Sequence, residues 1–165
     1  MKVGLGLGSN IGDRLRHLQL AKQYLLNLSP ARHHVSPVYE TVPVNCPPAS
    51  PVFLNAVIEI DFNDTPQTLL NQTFAYEVAH GRDRNAGVNA PRTIDIDILY
   101  FGEQQINEAD LIIPHPRLAE RRFVLVPLAT ICPDMIVKGT GQTVRSLLRE
   151  LPERGEEVKL VQQDW

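Results

Sequence analysis

The aspartates Asp95 and Asp97 are the clearest sign of chemistry in this chain. The segment from Thr93 to Phe101 alternates in a way that predicts a β-strand, with four apolar side chains on one face: Ile94, Ile96, Ile98 and Tyr100. Side chains two residues apart lie about 6.5–7 Å apart on one side of a strand. Two such carboxylates repel each other unless a cation lies between them, and Mg²⁺ is commonly held by one or two carboxylates and substrate phosphates. A solvated strand face would show the same spacing, so both interpretations stay open.

Arginines are concentrated around the aspartate pair. Six of the twelve lie between positions 82 and 122, although the chain has a net charge of −3. They form two clusters. Arg82, Arg84 and Arg92 come before the aspartate pair, and Arg117, Arg121 and Arg122 come after it, together with His115. Guanidinium groups bind phosphate oxygens in a bidentate fork. Local positive charge in an acidic chain indicates a small anionic ligand rather than a nucleic-acid surface, whereas the alternative is a set of surface arginines that favour solubility.

Two further polar residues stand where apolar ones are expected. Asn55 shares a face with Phe53 in the alternating segment 52–62, and an aromatic ring beside an amide could bind a flat heterocycle. Phe53 as an ordinary core residue is the alternative. Glu77 falls within the apolar stripe of a predicted helix, and a buried carboxylate needs a cationic partner or a proton. An arginine of the following loop is the obvious partner, and a helix-end glutamate that reaches solvent is the alternative.

Composition places the chain among ordinary globular proteins. Its 165 residues, 43% hydrophobic and 21% charged, predict a single domain over 1–165 with a proper core. Cys46 and Cys132 are far apart and show no CxxC spacing, which is typical of reduced thiols. No apolar run is long enough to span a membrane, and the first residues lack the apolar stretch of a signal peptide. We therefore expect a cytoplasmic protein without a membrane partner, and a monomer.

The elements that position these residues follow the order βαββαβ. The predicted strands are the glycine-rich segment 3–8 and the segments 32–40, 52–62 and 93–101, and the predicted helices cover 11–28 and 66–79, the second capped by Thr65. Short helices near 123–130 and 143–150 follow. This order predicts an α/β (α+β) fold, a ferredoxin-like βαββαβ sandwich with an antiparallel sheet and C-terminal helical additions. One face of the first strand carries glycine only, which would admit a close helix or a ligand.

The segment Ala90–Asp97 and several shorter segments carry a resemblance to a known family. Ala90-Pro91-Arg92-Thr93-Ile94-Asp95-Ile96-Asp97 is close to a G-P-R-T-x-D-x-D signature. The supporting segments are Gly8-Ser9-Asn10, Tyr39-Glu40-Thr41, Phe53-Leu54-Asn55-Ala56, Glu77 with Gly81-Arg82-Asp83-Arg84, and Pro114-His115-Pro116-Arg117. In these segments the chain resembles the 6-hydroxymethyl-7,8-dihydropterin pyrophosphokinases of folate biosynthesis, and the resemblance runs almost to the end of the chain.

The resemblance implies a reaction and a set of residues for it. ATP would give its β,γ-pyrophosphoryl group to the hydroxymethyl group of the pterin and leave as AMP. Asp95 and Asp97 would hold two Mg²⁺ ions, and Arg82 and Arg92 would act with them in catalysis. The nucleotide contacts would come from Glu77, Arg82, Arg84, Arg92, Ile98, His115 and Arg121. The pterin contacts would come from Thr41, Val42, Val44, Phe53, Asn55 and Phe123, with the two phenylalanines on either side of the ring.

Some positions depart from the family pattern. They are Phe74, Val88, Asn89, Asp110, Ile112 and Pro116. These residues leave open how firmly the adenosine is held and how the arginine-rich loop closes. Two other hypotheses also stay open at this point: a non-catalytic ferredoxin-like module that binds a small ligand, and a different Mg²⁺-dependent nucleotidyl transferase on a similar sheet. The first has no need for an aspartate pair beside arginines, and the second has no need for Phe53 and Asn55.

Overall fold

Alternating apolar residues build the strands of a mixed α/β fold. The computed structural model describes residues 1–29, 32–44, 46–47, 49–83, 87, 90–153 and 157–165. The strands of the main sheet are β1 (Lys2–Ser9), β2 (His33–Val35), β3 (Val38–Thr41), β4 (Phe53–Asp61), β5 (Asp95–Phe101) and β10 (Val158–Gln162). Two short hairpins are formed by β6 (Ile106–Asn107) with β7 (Ile112–Ile113), and by β8 (Ile136–Val137) with β9 (Gln142–Thr143).

The helices begin and end at residues that the sequence marks for that purpose. They are α1 (Arg14–Leu28), α2 (Pro66–Ala79), α3 (Arg122–Ile131) and α4 (Val144–Glu150), with a short 3₁₀ helix at Leu118–Glu120. Thr65 accepts a hydrogen bond from the backbone N–H of Thr68 and caps α2, whose bounds match the prediction. The predicted start of α1 at residue 11 was wrong, because Gly12 has a positive φ of 69° and Asp13 caps the helix through the N–H of Arg16.

The main sheet is antiparallel, and β1 lies inside it between β4 and β5. The strand order is β10-β3-β4-β1-β5, and β2 pairs with β4 beside β3. The predicted single strand 32–40 is therefore divided. Pro37 has no N–H to donate to the ladder. Ser36 holds this part of the chain to β4, because its N–H donates to Val57 O and its side-chain Oγ accepts from Val57 N–H, both at 2.9 Å.

Two apolar cores cover the two faces of the sheet. The first joins β1, β4 and β5 to α1 and α2, and includes Leu5, Leu25, Ile58 and Leu69. The second joins the opposite face to α3 and α4, through residues such as Leu125 and Leu147. Burial on both sides fixes the register of the central strands, because a one-residue slip would move every side chain to the other face.

Tyr100 lies on the opposite face from the one predicted. Gly4 of β1 pairs with Tyr100, but the next residue, Leu5, pairs with Ile98, so β5 carries one extra residue at this point. Such a β-bulge resets the alternation of side chains. Ile94, Ile96 and Ile98 lie in the first core as predicted, whereas Tyr100 lies in the second.

Candidate active site

The register of three central strands brings the predicted site residues together. Gly8 of β1 pairs with Asn55 of β4 on one side and with Asp95 of β5 on the other. Gly6 pairs in the same way with Val57 and Asp97. Paired residues share a face, so the amide and the two carboxylates flank a floor without side chains. A methyl group at Gly8 would come within 3.1 Å of Asn55 Oδ1, and the absence of side chains there leaves room for a ligand.

A cavity of about 220 Å³ lies above this floor, between the sheet and the start of α3. Ten of the predicted site residues line it: Thr41, Val42, Val44, Phe53, Asn55, Arg92, Asp95, Asp97, Arg121 and Phe123. The lining changes character across the cavity, from apolar and aromatic groups near β3 and β4 to charged groups near β5. Such a division suits a ligand set with one flat ring and one polyanion.

Asp95 is held by two arginines. Arg82 Nη1 donates to Asp95 Oδ1, and Arg92 Nη2 lies 2.7 Å from Asp95 Oδ2. Burial alone would lower the pKa of Arg82, but the charges of Asp95 and Glu77 outweigh it and raise that pKa. Arg82 thus stays charged, and the position of the Asp95 carboxylate is fixed by charge-assisted hydrogen bonds.

Glu77 is the buried carboxylate that the sequence indicates. Its side chain is 3% exposed, and its Oε1 accepts hydrogen bonds from Arg82 Nη1 at 2.5 Å and from the backbone N–H of Ile96 at 2.7 Å. The predicted partner in the following loop is therefore Arg82. In this geometry Glu77 ties α2 to β5 and orients Arg82, which in turn reaches Asp95.

Asp97 lies at the other end of the charged region and is held less tightly. Its nearest cations are Arg121 Nη1 at 3.7 Å and His115 Nε2 at 4.0 Å, and 41% of its side chain remains exposed. Burial of the carboxylate among protein groups, with the charge of Asp95, raises its pKa from 3.8 to about 6. Burial, with Arg121 and Arg117, lowers the pKa of His115 to about 4. His115 is therefore neutral at pH 7 and does not neutralise Asp97.

Aromatic groups flank the opposite part of the cavity. Phe53 comes from β4, and the Arg92 guanidinium carbon lies 5.3 Å from the centre of its ring. Phe123 comes from the first turn of α3, and Arg121 stands over it at 5.2 Å. Between them Asn55 Nδ2 donates to Thr41 Oγ1 at 2.6 Å. In this arrangement the amide oxygen Oδ1 lies on the side of Gly8 and stays available as an acceptor.

The remaining predicted residues occupy three kinds of position. Arg82 and Glu77 stand behind Asp95, and His115 is near Asp97, as described above. Ile98 lies on the other face of β5 and its side chain packs in the first core, so the structure does not bring it into the cavity. Arg84 lies outside the described residues, as do Val88 and Asn89.

Sequence reasoning missed the structural part played by Asn10. It is 2% exposed at the end of β1, where its Oδ1 accepts a hydrogen bond from the backbone N–H of Arg92 at 2.7 Å. The sequence signal was a polar residue directly after a strand, within the segment Gly8-Ser9-Asn10. The glycine-only face, which was predicted to admit a helix or a ligand, forms the floor of the cavity at Gly6 and Gly8.

The carboxylate pair suits a divalent cation that brings further ligands with it. Among the described residues no group of three or more His, Cys, Asp or Glu side chains could hold a metal ion alone. Burial and the charge of Asp95 raise the pKa of Asp97, and its nearest cations among the described residues lie 3.7 and 4.0 Å away. A cation between Asp95 and Asp97 would relieve their repulsion, and Mg²⁺ completes its octahedron with water and phosphate oxygens.

A second cavity, of about 590 Å³, lies at the far end of the same sheet face. Its buried carboxylate, Glu59, accepts a hydrogen bond from Tyr100 Oη at 2.7 Å and pairs with Lys2 and His34 at 3.1 and 3.2 Å. Its polar groups therefore satisfy one another. The aspartate cavity is the better candidate site because its charges are left unbalanced.

The chain is similar to members of one known family over most of its length. Residues 4–133 match the family described as 7,8-dihydro-6-hydroxymethylpterin-pyrophosphokinase (HPPK). The 2-amino-4-hydroxy-6-hydroxymethyldihydropteridine pyrophosphokinase of Methylorubrum extorquens is 40% identical over 92% of this chain and 94% of that protein. The protein of the same name from Bacillus subtilis is 42% identical over 83% of this chain and 81% of its own length.

A solved structure shares the fold at much lower identity. The Plasmodium falciparum HPPK-DHPS with pteroate superposes with a TM-score of 0.69 at 16% identity, over 90% of this chain. This chain spans 42% of that one. None of the described helices combines the length and apolar character that crossing a membrane requires. On the extent of the family match and the identity to these two bacterial relatives, the chain belongs to the 7,8-dihydro-6-hydroxymethylpterin-pyrophosphokinase family.

Proposed function

We propose that this chain transfers the pyrophosphoryl group of ATP to the hydroxymethyl group of 6-hydroxymethyl-7,8-dihydropterin, a step of folate biosynthesis. The observation that carries the proposal is the row Asn55–Gly8–Asp95, which places a group able to recognise a heterocycle one strand away from a paired carboxylate. The pterin hydroxyl oxygen attacks the β-phosphorus and releases its proton to solvent, the bond from that phosphorus to the α–β bridging oxygen breaks, and AMP leaves.

The arginines would hold the triphosphate. Burial and the charge of Arg117 lower the pKa of Arg121, so an anion in this region would relieve repulsion among the guanidinium groups. Arg92 is held beside Asp95 and faces the same cavity. Catalysis of phosphoryl transfer depends mainly on positioning and on neutralisation of charge. The chain's own part is thus to fix the β-phosphate in line with the pterin hydroxyl. Arg84 remains a predicted nucleotide contact, and Ile98 remains one although its side chain packs in the first core and does not line the cavity.

Asp95 and Asp97 would hold Mg²⁺, and two ions are expected. When bound, Mg²⁺ neutralises the phosphate oxygens and lowers the pKa of a bound hydroxyl. Arg82 and Glu77 keep Asp95 in place, so the first carboxylate is positioned before any ligand arrives. Asp97 must lose the proton that its raised pKa favours, and we expect nucleotide binding with metal to weaken below about pH 6 for this reason.

Phe53 and Phe123 would stack on the two faces of the pterin. Asn55 donates its amide N–H to Thr41, which leaves Oδ1 to accept from the polar edge of the heterocycle. Val42 and Val44 would close the apolar side of the cavity. We also propose that the fold is ferredoxin-like. The order β3-β4-β1-β5 with two crossing helices supports this. A single domain, a monomer and a cytoplasmic location remain predictions.

Product analysis tests the reaction. ATP and Mg²⁺ are incubated with the purified chain, with and without the hydroxymethyl pterin, and nucleotides are separated by chromatography. We expect AMP, in a one-to-one ratio with pterin diphosphate, only when the pterin is present. Asp134→Asn serves as a control variant because that carboxylate is 80% exposed and lies outside the cavity. ADP as the product, or AMP without pterin, would indicate a different transferase, and binding without turnover would indicate a ligand-binding module.

A further inference from the structure

We propose that Asn10 and Arg14 position the segment 51–53 and couple the nucleotide side of the cavity to the pterin side. Neither residue lines the cavity, so each acts through another group and is a positioning residue. The two are called the Asn10–Arg14 clasp below. The inference rests on the proposed function only for the identity of the two ligands.

Asn10 is fixed to the arginine side by its backbone and its side chain. Its N–H donates to Arg92 O at 3.1 Å, and its Oδ1 accepts from Arg92 N–H at 2.7 Å. Together the two bonds hold both the N–H and the carbonyl group of Arg92 to Asn10. The backbone of Arg92 therefore cannot shift without moving Asn10 or breaking a hydrogen bond inside the protein, where an unpaired polar group is costly.

The other end of the clasp holds the segment that leads into β4. Asn10 Nδ2 donates to Pro51 O at 3.3 Å, and Arg14 Nη1 donates to Val52 O at 2.9 Å. The same Nη1 lies 3.3 Å from Glu40 Oε2, next to Thr41 in the cavity wall. Two consecutive carbonyl groups are thus held from the ends of β1 and α1, and the residue that follows them is Phe53.

Two routes therefore connect Arg92 with Phe53. One route is direct, because the Arg92 guanidinium stands over the Phe53 ring at 5.3 Å. The other passes from the Arg92 backbone through Asn10 to Pro51. A phosphate that displaces Arg92 from Asp95 changes both routes, so the pterin wall responds to the nucleotide. The coupling must be reciprocal, since linkage requires each ligand to change the affinity for the other by one factor.

Calorimetry measures that factor directly. The pterin dissociation constant is determined without and with saturating Mg²⁺ and an ATP analogue that carries a methylene group between the α- and β-phosphates. Asn10→Asp is nearly isosteric, keeps the acceptor for Arg92 N–H and loses the donor to Pro51. Arg14→Ala releases the next carbonyl. Asp13→Asn is the matched control, because the Asp13 side chain caps α1 by accepting from Arg16 N–H, which asparagine can also do.

We expect Asn10→Asp to reduce the coupling factor about tenfold, which corresponds to the loss of one hydrogen bond of about 1.4 kcal/mol. Arg14→Ala should reduce it in the same direction, and Asp13→Asn should leave it unchanged. If Asn10→Asp does not fold, Arg14→Ala alone decides. A coupling factor of one in the native chain, or an unchanged factor in the folded variants, overturns the proposal. Failure of the proposed function is distinct, because the native chain would then bind no pterin or form no AMP.

Discussion

At the scale of single residues, Asp97 carries conflicting demands of stability and function. Burial, and after it the charge of Asp95, raises the pKa of Asp97 to about 6, so the charged form that would bind Mg²⁺ is unfavourable in the empty protein. Strain of this kind is typical of functional sites. The residue is therefore expected to reduce the stability of the folded state at neutral pH.

The variant Asp97→Asn separates the effect of Asp97 on activity from its effect on stability. We expect pyrophosphoryl transfer to fall by about a hundredfold or more, the scale of losing one electrostatic catalytic contact. The metal-free variant should unfold at a higher urea concentration than the native chain at pH 8, because an amide carries no charge to repel Asp95. Asp134→Asn, on the exposed surface, is the control for both measurements. Near-normal turnover at saturating Mg²⁺ would show that Asp97 holds no essential metal.

Asn55→Ala tests the pterin side of the cavity. The variant removes the amide that lies beside Gly8 and leaves Thr41 without its donor, and unpaired polar groups in a buried site cost about 1–3 kcal/mol. Pterin affinity measured by calorimetry should fall about tenfold or more, and affinity for the ATP analogue should change by less than about threefold. Asn27→Ala, on the exposed face of α1, should change neither. Equal losses for both ligands would argue that Asn55 supports the cavity as a whole.

At the scale of elements, the glycine face of β1 is required by its neighbours. A methyl group at Gly4 would lie 2.1 Å from the Tyr100 ring, whereas one at Gly6 would lie 3.3 Å from the end of the Leu99 side chain. Tyr100 cannot move freely because it is buried and donates to Glu59. Glycine at position 4 is therefore a packing requirement rather than a sign of nucleotide binding.

Substitution at these two positions should give unequal losses of stability. Gly4→Ala should lower the free energy of unfolding by about 1–3 kcal/mol, the usual cost of overpacking. Gly6→Ala should cost less, since the flexible Leu99 side chain can shift by a few tenths of an ångström. Urea unfolding followed by circular dichroism compares the two. Equal costs would mean that the Tyr100 ring has room to move.

The elements also show how far the sequence alone could predict the molecule. The clear periodicity of α2 and β4 predicted both, and the aspartate spacing of β5 predicted its charged face. The position of Tyr100 was not predictable, because a β-bulge depends on pairing with β1. The hairpin β8–β9 and the strand β10 were missed, since two-residue strands have no period and β10 is stabilised only by its pairing with β3.

The candidate site was likewise predictable only in part from the sequence. Residue types and local spacing indicated Asp95, Asp97, Asn55 and the arginines as a group. Their arrangement around Gly8 depends on the register of three strands that are far apart in the chain, which local patterns do not contain. Asn10 was overlooked because its function lies in hydrogen bonds to residues 41 and 82 positions away.

At the scale of the whole molecule, two groups of the site give stability opposite dependences on pH. The folded state raises the pKa of Asp97 from 3.8 to about 6, so it binds a proton more tightly than the unfolded chain. Stability from this group therefore increases as the pH falls from about 6 to 4. The folded state lowers the pKa of His115 from 6.5 to about 4. Stability from that group is therefore lost as the pH falls over nearly the same range.

Single variants should reveal the opposite dependences of stability on pH that Asp97 and His115 cause. Between pH 6.5 and 4, metal-free Asp97→Asn should lose stability more steeply than the native chain as the pH falls. His115→Gln should lose less stability over that range, or gain it. Urea midpoints at half-unit pH intervals measure both, and His33→Gln is a control because that ring is exposed and outside the cavity. Parallel profiles for all four proteins would contradict the assigned directions.

The position of β1 inside the sheet determines which backbone hydrogen bonds open last when the molecule unfolds. β1 pairs along its length with β4 and β5, whereas β10 is the last strand of the sheet on the side of β3 and exposes Leu160 and Val161. Deuterium exchange should thus be slowest at the amides of β1, which open only on global unfolding, and faster at β10 and β3. The floor of the cavity at Gly6 and Gly8 would then open only on global unfolding, and the wall that carries Thr41 would open more readily. A floor that opens last can hold a reaction geometry, while a wall that opens more readily can admit and release a flat ring.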